Sequence, residues 1–194
     1  MDNIREKRYI KIPNFFSKEE LDFLQVYAKK RLPEGDVTDT QSPVALSFFD
    51  DPVFNIFHQT KTKLVEEISS LRLIPTYTYW RAYVYGSILE THTDKPTCEI
   101  SMTANIDSCG TPWPISMDGN EITLNPGEGC LYLGCEVPHG RKPFEGLYSP
   151  QVFFHWVDRF GKYEKYKTHP RFWDHPDANE DPYVKEENER KQKN

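Results

Sequence analysis

From residue 73 to residue 157 the chain is a series of short segments rich in aromatic and β-branched residues, with no helical periodicity between them. Such residues favour strands, and the glycines, prolines and asparagines between the segments favour tight turns. Short strands at this spacing predict two packed antiparallel sheets rather than alternating strands and helices. The predicted strands are Thr76–Tyr85, Leu89–Asp94, Cys98–Ile106, Pro114–Met117, Glu121–Leu124, Cys130–Cys135 and Gln151–Val157.

Two helices are predicted ahead of these strands. Ser17 and Glu20 have the spacing of a capping box, and apolar residues then recur at helical spacing until a Pro-Glu-Gly stop. A second helix is predicted from Asp50 or Asp51, with a proline in its first turn, to about Ser69. Both helices are expected to pack against the sheets as scaffold.

The length of 194 residues suits one domain with a sizeable core. We expect a single domain over residues 1–184, in which residues 1–72 supply helical support and residues 73–160 form the β core. The polar residues 161–184 are predicted to run along the surface, and the charged residues 185–194 are predicted to be a disordered tail.

Charge and cysteine spacing limit the class of protein. The net charge is −6 and the pI is near 5.5, with no basic stripe, so nucleic acid is not an expected partner. No two cysteines have the C-x-x-C spacing, which disfavours a structural zinc site. The N-terminus lacks an apolar leader and no stretch approaches a membrane span, so no membrane partner is expected either. These features predict a reduced, cytoplasmic protein.

A His-x-Asp pair marks the candidate site. His92 and Asp94 stand two residues apart at the end of a strand-like segment, so both side chains project from one face. His139 follows a later strand and the turn at Pro138, and it is the expected third ligand. Two imidazoles and one carboxylate leave three octahedral positions open, as in non-haem Fe(II) oxygenases. The pair alone is a weak signal, and the alternative is a surface histidine and aspartate near a turn.

The order of the motifs resembles that of the Fe(II)/2-oxoglutarate-dependent dioxygenases, in particular small bacterial and phage-type members of their prolyl-4-hydroxylase-like branch. The resemblance covers about residues 9–160. The pieces that carry it are the segment 12–17 before the first helix, Tyr85-Gly86 ahead of His92-Thr93-Asp94, the turn 124–129, and His139.

This resemblance implies a mainly β protein with N-terminal helices, folded as a double-stranded β-helix (a cupin-like jelly roll) with iron at its open end. It also implies Fe(II), 2-oxoglutarate and O₂ as cofactor and cosubstrates, with ascorbate as a possible accessory. The expected reaction is hydroxylation of an amino-acid or peptidyl side chain, proline being the nearest analogy, with release of succinate and CO₂. The substrate is thus a small molecule or a peptide, and the oligomeric state is left open.

One departure from the family concerns the far carboxylate of 2-oxoglutarate. Family members usually pair it with a lysine or arginine on the last core strand, but the matching segment 147–151 contains no base. Arg141, two residues past the distal histidine, is the first candidate for this contact because guanidinium binds carboxylate bidentately. Arg81, on the first core strand, is the second. Surface ion pairing is the alternative for both.

Several other residues are candidates for contacts to the cosubstrate. Gln151 and His155 share one face of the last strand, and Tyr83 and Tyr85 are candidate phenol donors, although His155 also suits a plain core position. Trp113 is expected either to close over the site or simply to pack. The remaining histidines of the helical and polar segments, His58, His169 and His175, are expected to be solvated or to cap helices.

Two alternatives to an active hydroxylase stay open. The missing last-strand base keeps a catalytically inactive, cupin-like metal-binding or scaffold protein in consideration. A nucleobase demethylase of the same superfamily is disfavoured, because the arginine-rich signature after the distal histidine is absent and the chain is acidic.

Overall fold

Two antiparallel sheets form the body of the protein in the computed structural model, which describes residues 3–167. Its strands are β1 Tyr9–Ile12, β2 Leu46–Phe49, β3 Leu73–Val84, β4 Leu89–His92, β5 Ile100–Asn105, β6 Ile115–Met117, β7 Asn120–Ile122, β8 Gly129–Leu133, β9 His139–Arg141 and β10 Tyr148–Asp158. The larger sheet has the order β1-β8-β5-β10-β3-β2, and the smaller has the order β4-β9-β6-β7. This is the jelly-roll arrangement of a double-stranded β-helix, and the predicted fold class is confirmed.

The helices are α1 Ile4–Lys7, α2 Lys18–Arg31 and α3 Pro52–Ser69. The capping box predicted for α2 is present: the backbone N–H of Glu20 donates to Ser17 Oγ at 3.2 Å, and that of Ser17 donates to Glu20 Oε2 at 2.8 Å. Asp51 caps α3 by accepting from the backbone N–H of Val53 at 3.0 Å. Both predicted helices are confirmed, whereas the short α1 was not predicted.

Strand alternation sorts the side chains of β10 between two environments. Val152, Phe154 and Trp156 belong to the main hydrophobic core, where Phe154 meets Phe54 of α3 with ring centroids 6.4 Å apart. The alternate residues of β10 face the other sheet, and among them Gln151 and His155 are buried among polar groups. The outer face of the larger sheet is therefore an aromatic core, and its inner face supports a site.

His58 corrects one expectation. It is only 3% exposed, and its ring packs on Trp156 with centroids 4.6 Å apart. Its Nε2 has no hydrogen-bond partner within residues 3–167, and burial lowers the pKa of His58 to about 3. The residue is a neutral core histidine of α3 and neither solvated nor a cap.

Most predicted strands are present with bounds shifted by one to three residues. The strands β2 and β9 were not predicted, and His139, which was expected just after the turn at Pro138, is the first residue of β9. The predicted strand Cys98–Ile106 begins as a 3-10 turn over Pro96–Cys98, and only then becomes β5. Asp118 and Gly119 form the tight hairpin turn between β6 and β7, with φ values of 51° and 81°.

Some predictions fall outside the described part of the chain. The surface extension 161–184 is described only as far as residue 167, and the tail 185–194, His169 and His175 lie wholly beyond it. Within residues 3–167, every helix is too short or too polar to cross a lipid bilayer. The division into one domain and the cytoplasmic location stay predictions.

Candidate metal centre

The structure brings His92, Asp94 and His139 together at one end of the smaller sheet. His92 ends β4 and His139 begins β9, and the two residues are direct partners in the strand pairing. The Nε2 atom of each imidazole lies 3.6 Å from Asp94 Oδ1. One ligand atom from each of the three residues lies within 4.8 Å of the others, so the three can share one ion. Two imidazoles and a carboxylate suit a divalent transition metal with open positions.

Backbone carbonyls orient both imidazoles. His92 Nδ1 lies 2.8 Å from the carbonyl oxygen of Glu90, and His139 Nδ1 lies 2.9 Å from that of Val137. Because a carbonyl oxygen only accepts, each Nδ1 carries a proton, and Nε2 is the ring nitrogen of each imidazole that faces Asp94. Nε2 is therefore the atom through which each histidine would bind a metal.

Asp94 is held by two neighbours that were not predicted from the sequence. Ser101 Oγ donates to Asp94 Oδ2 at 2.9 Å, and the backbone N–H of Asp94 donates to the carbonyl oxygen of Gly134 at 2.8 Å. Burial alone would raise the pKa of Asp94, but His139 and His92 hold it well below its ordinary value. Oδ2 is thus occupied and Oδ1 is directed at the imidazoles. The inward-facing position of Ser101 on β5 was the one available signal for its role.

His155 supports this arrangement from behind. Its Nδ1 lies 2.9 Å from Ser101 Oγ, and burial lowers the pKa of His155 to about 4. The single hydroxyl proton of Ser101 is shared between Asp94 Oδ2, at 2.9 Å, and the carbonyl oxygen of Cys98, at 3.1 Å, so Ser101 accepts from the Nδ1–H of a neutral His155. His155 therefore positions Ser101 and also lines the cavity of the triad.

That cavity has a volume of about 620 Å³ and opens over the triad. Its walls come from the inner face of the larger sheet and from the segment that precedes β2. Its aromatic lining consists of Phe49, Tyr77, Tyr79, Tyr132 and Phe153, and its charged lining other than Asp94 consists of Asp39, Arg81 and Lys95.

Arg81 lines this cavity but is already paired. Its Nε donates to Asp39 Oδ2 at 2.5 Å and its Nη2 donates to Gln41 Oε1 at 2.6 Å. Burial would lower the pKa of Arg81, but Tyr83, Tyr79 and Asp39 together raise it above its ordinary value. Gln41 Nε2 in turn lies 2.9 Å from His92 Nε2. Arg81 is thus a satisfied cation that ties the segment before β2 to the site.

Arg141 has the opposite environment. It is 4% exposed, and its guanidinium lies over the Trp113 ring at 4.8 Å. Its Nη1 donates to the carbonyl oxygen of Trp113, and its Nη2 lies 3.3 Å from Gln151 Oε1. No carboxylate in residues 3–167 pairs with it, and its Nε has no hydrogen-bond partner there. Burial accordingly lowers the pKa of Arg141 to about 10.

Gln151 is locked into the polar cluster around Arg141. Its amide Nε2 donates to Asn105 Oδ1 and to Ser149 Oγ, both at 2.9 Å. This orientation turns the amide oxygen toward Arg141. Neither Gln151 nor Arg141 lines the triad cavity, and Arg141 borders a second cavity, of about 630 Å³, near Trp113.

The two candidate tyrosines differ. Tyr83 is fully buried, packs on Trp113, and accepts from Arg81 Nη1 at 3.3 Å. Tyr85 is 72% exposed and lies away from the cavity, because its position on the chain follows the last residue of β3. This exposure disfavours the predicted role of Tyr85 as a phenol donor. Trp113 packs between Tyr83 and Phe144 and does not close over the triad.

No protein-family model and no curated protein sequence matches this chain. Among solved structures, a viral collagen prolyl hydroxylase from Paramecium Bursaria Chlorella virus-1, in complex with 2-oxoglutarate, has a TM-score of 0.60 and 15% identity, over 78% of this chain and 97% of that one. A Pseudomonas putida prolyl-4-hydroxylase has a TM-score of 0.59 and 16% identity, over 76% and 92%.

A third similar structure carries a metal as well as the cosubstrate. HygX from Streptomyces hygroscopicus, with nickel and 2-oxoglutarate bound, has a TM-score of 0.60 and 14% identity, over 79% of this chain and 84% of that one. At these identities the likeness concerns the fold, and it agrees with the resemblance seen in the motifs. This chain therefore has the fold of the Fe(II)/2-oxoglutarate oxygenases.

Proposed function

We propose that the protein is a non-haem Fe(II)/2-oxoglutarate-dependent oxygenase that hydroxylates an amino-acid or peptidyl side chain and releases succinate and CO₂. The observation that carries this proposal is the convergence of two correctly oriented imidazoles and one carboxylate oxygen within 4.8 Å. The nearest analogy for the substrate is proline, since two of the similar structures are prolyl hydroxylases.

The residues of this chain fit such a centre. When bound, iron(II) with 2-oxoglutarate and O₂ supplies the oxidising chemistry that converts an unactivated C–H into C–OH. His92 and His139 both direct Nε2 toward Asp94, which stays ionised. Burial would lower the pKa of His139, but Asp94 raises it above its ordinary value, so a metal would compete with a proton for this Nε2. Ser101 keeps one oxygen of Asp94 occupied and so favours a single coordinating oxygen.

Arg141 is the proposed anchor for the far carboxylate of the cosubstrate. A buried guanidinium without an anionic partner costs several kcal/mol, and a bound carboxylate would relieve that cost. Arg141 stands two residues after His139 on β9, so the two side chains project from the same face of the strand. The Nε atom without a partner is the free donor that a bidentate carboxylate would use.

Arg81 is the weaker candidate for the same role. It lines the triad cavity, but Asp39 already holds its guanidinium at 2.5 Å. A cosubstrate carboxylate would have to displace the buried carboxylate of Asp39. The ion pair lost would then be about as strong as the ion pair gained.

The test measures metal binding, cosubstrate binding and turnover separately. We expect the wild-type protein to bind Mn(II) in calorimetry, to develop a charge-transfer band with Fe(II) and 2-oxoglutarate under anaerobic conditions, and to form succinate when O₂ is admitted. His92→Ala and Asp94→Ala should lose all three, while circular dichroism shows an unchanged fold. Wild-type protein that binds neither Mn(II) nor 2-oxoglutarate would contradict the proposal.

Titration of the charge-transfer band with 2-oxoglutarate also distinguishes Arg141 from Arg81 as the anchor. Arg141→Met should weaken 2-oxoglutarate binding about 10- to 100-fold, in line with the loss of a charge-assisted hydrogen bond of about 1.5–3 kcal/mol, and Arg81→Met should weaken it less. The reverse ranking would assign the anchor to Arg81.

A catalytically inactive metal-binding or scaffold protein is the second candidate. The observation that favours it is the position of Arg141 outside the lining of the triad cavity. This alternative predicts Mn(II) binding without a charge-transfer band and without succinate.

A further inference from the structure

Lys95 lines the triad cavity and has no ion-pair partner among residues 3–167. Lys95 follows Asp94 directly, and its Nζ lies over the ring of Tyr77 at 5.0 Å. Its backbone carbonyl accepts from the N–H of Cys98 at 2.9 Å, so the 3-10 turn fixes the base of the side chain. Lys95 makes no salt bridge with any residue between 3 and 167.

The other charges that line the cavity are balanced. Asp39 and Arg81 neutralise each other as a buried pair, and Asp94 faces the two imidazoles. Within the described lining, Lys95 is the charge that still lacks a counterion, and it favours an anionic ligand.

An aromatic wall lies beside this lysine. The rings of Phe49 and Tyr77 are stacked with centroids 5.2 Å apart, and Tyr79 stands against Phe49 at 6.3 Å. The hydroxyl of Tyr77 is engaged with Cys98 Sγ at 3.1 Å, and both residues line the cavity. A cation next to flat apolar rings suits a ligand with a hydrocarbon body and one negatively charged end.

We propose that the substrate is a small free acid, such as an unmodified amino acid, whose carboxylate is bound by Lys95 and whose hydrocarbon part lies against Phe49 and Tyr77. The proposal rests on the oxygenase function and narrows its substrate from two classes to one. A residue within a peptide has its carboxyl group in an amide bond and offers no such anion to Lys95. The cavity of about 620 Å³ is also within the range of small-molecule sites, roughly 300–1,000 Å³.

The experiment compares free acids with their amides. The complex of protein, Fe(II) and 2-oxoglutarate is titrated anaerobically with each common L-amino acid and with the corresponding primary amide, while the charge-transfer band is followed. We expect at least one acid to shift the band and to stimulate succinate formation when O₂ is added, and its amide to do neither. Amides that act as well as the acids, or a band that no acid shifts, would overturn the proposal.

Variants of Lys95 test the contact itself. Lys95→Met should weaken binding of the active acid about tenfold or more, as expected for a hydrogen bond between charged groups, and Lys95→Arg should preserve most of it. The affinity for 2-oxoglutarate should not change in either variant. Lys142→Met is the matched control, because Lys142 is exposed, pairs with Glu121 and borders the other cavity. An equal loss of acid binding in the control would count against Lys95.

The two proposals fail in different ways. If no charge-transfer band forms at all, the oxygenase function fails and the question of substrate does not arise. If the band forms and responds to acids and amides alike, the oxygenase function stands and the role of Lys95 is wrong.

Discussion

The two sheets share a sandwich but are built differently. In the larger sheet, β10 pairs with β3 from Tyr148 to Asp158, and its outer face is an aromatic core covered by helices. In the smaller sheet, β4 meets β9 only at the pairs Leu89–Arg141 and His92–His139, with an irregularity between them. Yet the smaller sheet carries both imidazoles of the candidate metal centre.

The difference shows where the precision of the site comes from. Two paired positions cannot by themselves hold metal ligands in place. The support comes from outside the smaller sheet: Ser101 of β5 and Gly134 after β8 hold Asp94, and His155 of β10 holds Ser101. The larger sheet therefore supplies both the stability of the fold and the geometry of the site, while the smaller sheet contributes ligands.

The most severe test of this division is Gly134→Ala. A Cβ atom at Gly134 would lie 2.0 Å from the carbonyl oxygen of Cys98 and 2.7 Å from Asp94 Oδ2, so the backbone must move. We expect a loss of about 3 kcal/mol or more in the free energy of unfolding and, in the protein that still folds, a drop of about 100-fold in Mn(II) affinity. Urea unfolding and calorimetry measure the two effects.

Gly129→Ala is the matched control for that variant. Its Cβ would meet the flexible Met102 side chain, whose sulfur lies 2.7 Å away, while the next atoms stay at 3.4 Å. We expect some loss of stability and unchanged Mn(II) affinity. Equal losses of affinity in both variants would mean that β8 supports the site only as part of the whole fold.

The second test addresses the helix-covered face of the larger sheet through His58. Its pKa in the folded protein, about 3, lies below the ordinary value of 6.5, so the unfolded chain binds the proton more tightly. Burying the neutral imidazole of His58 therefore carries no protonation cost above pH 6.5. The free energy of unfolding decreases as the pH falls from 6.5 toward 3. At pH 4.5 the loss is about 2–3 kcal/mol.

His58→Met removes this contribution without emptying the site. We expect the difference in unfolding free energy between pH 7.5 and pH 4.5 to be about 2–3 kcal/mol smaller in the variant than in the wild-type protein. Other groups titrate equally in both proteins, so the comparison isolates His58. The same pH dependence in both would show that His58 is protonated in the folded state.

The smallest expected effect belongs to Ser101→Ala. This change removes the hydroxyl that holds Asp94 Oδ2, and we expect Mn(II) affinity to fall about 10- to 100-fold with little change in the unfolding midpoint. Thr103→Val is the control, since Thr103 is a buried residue of the same strand whose hydroxyl has no partner within residues 3–167. If both variants bind Mn(II) like the wild-type protein, Asp94 needs no support from the larger sheet.

The same contrast explains what was predictable from the sequence. Long strands such as β3 and β10 are predictable from their aromatic and β-branched content, and α2 is predictable from the capping box of Ser17 and Glu20. The strand β9 is not predictable in this way, because His-Gly-Arg has no strand pattern and is extended only through its pairing with β4 and β6. His92, Asp94 and His139 were predictable because the His-x-Asp pair and the distal histidine stand in a recognisable order of motifs.

The supports of these residues were not predictable in the same way. Ser101 and Gly134 act on Asp94 through contacts that exist only after β5 and β8 are paired. The exposure of Tyr85 and the burial of His58 likewise depend on where β3 ends and on which face of α3 meets the sheet. Such facts belong to tertiary packing and leave little trace in local composition.

The placement of His139 and Arg141 on one three-residue strand has a consequence for cosubstrate choice. Two residues of extended chain span about 6.6 Å. The spacing between two side chains on one face of a strand changes only by two residues at a time, because a shift by one residue turns the side chain to the opposite face. Under the proposed roles, the fixed spacing of His139 and Arg141 on β9 determines the length of dicarboxylate that can reach both the metal and the guanidinium. A shorter keto-diacid would leave a gap at the guanidinium of Arg141. Because the spacing along a strand changes only by whole residues, small sequence changes could not close that gap.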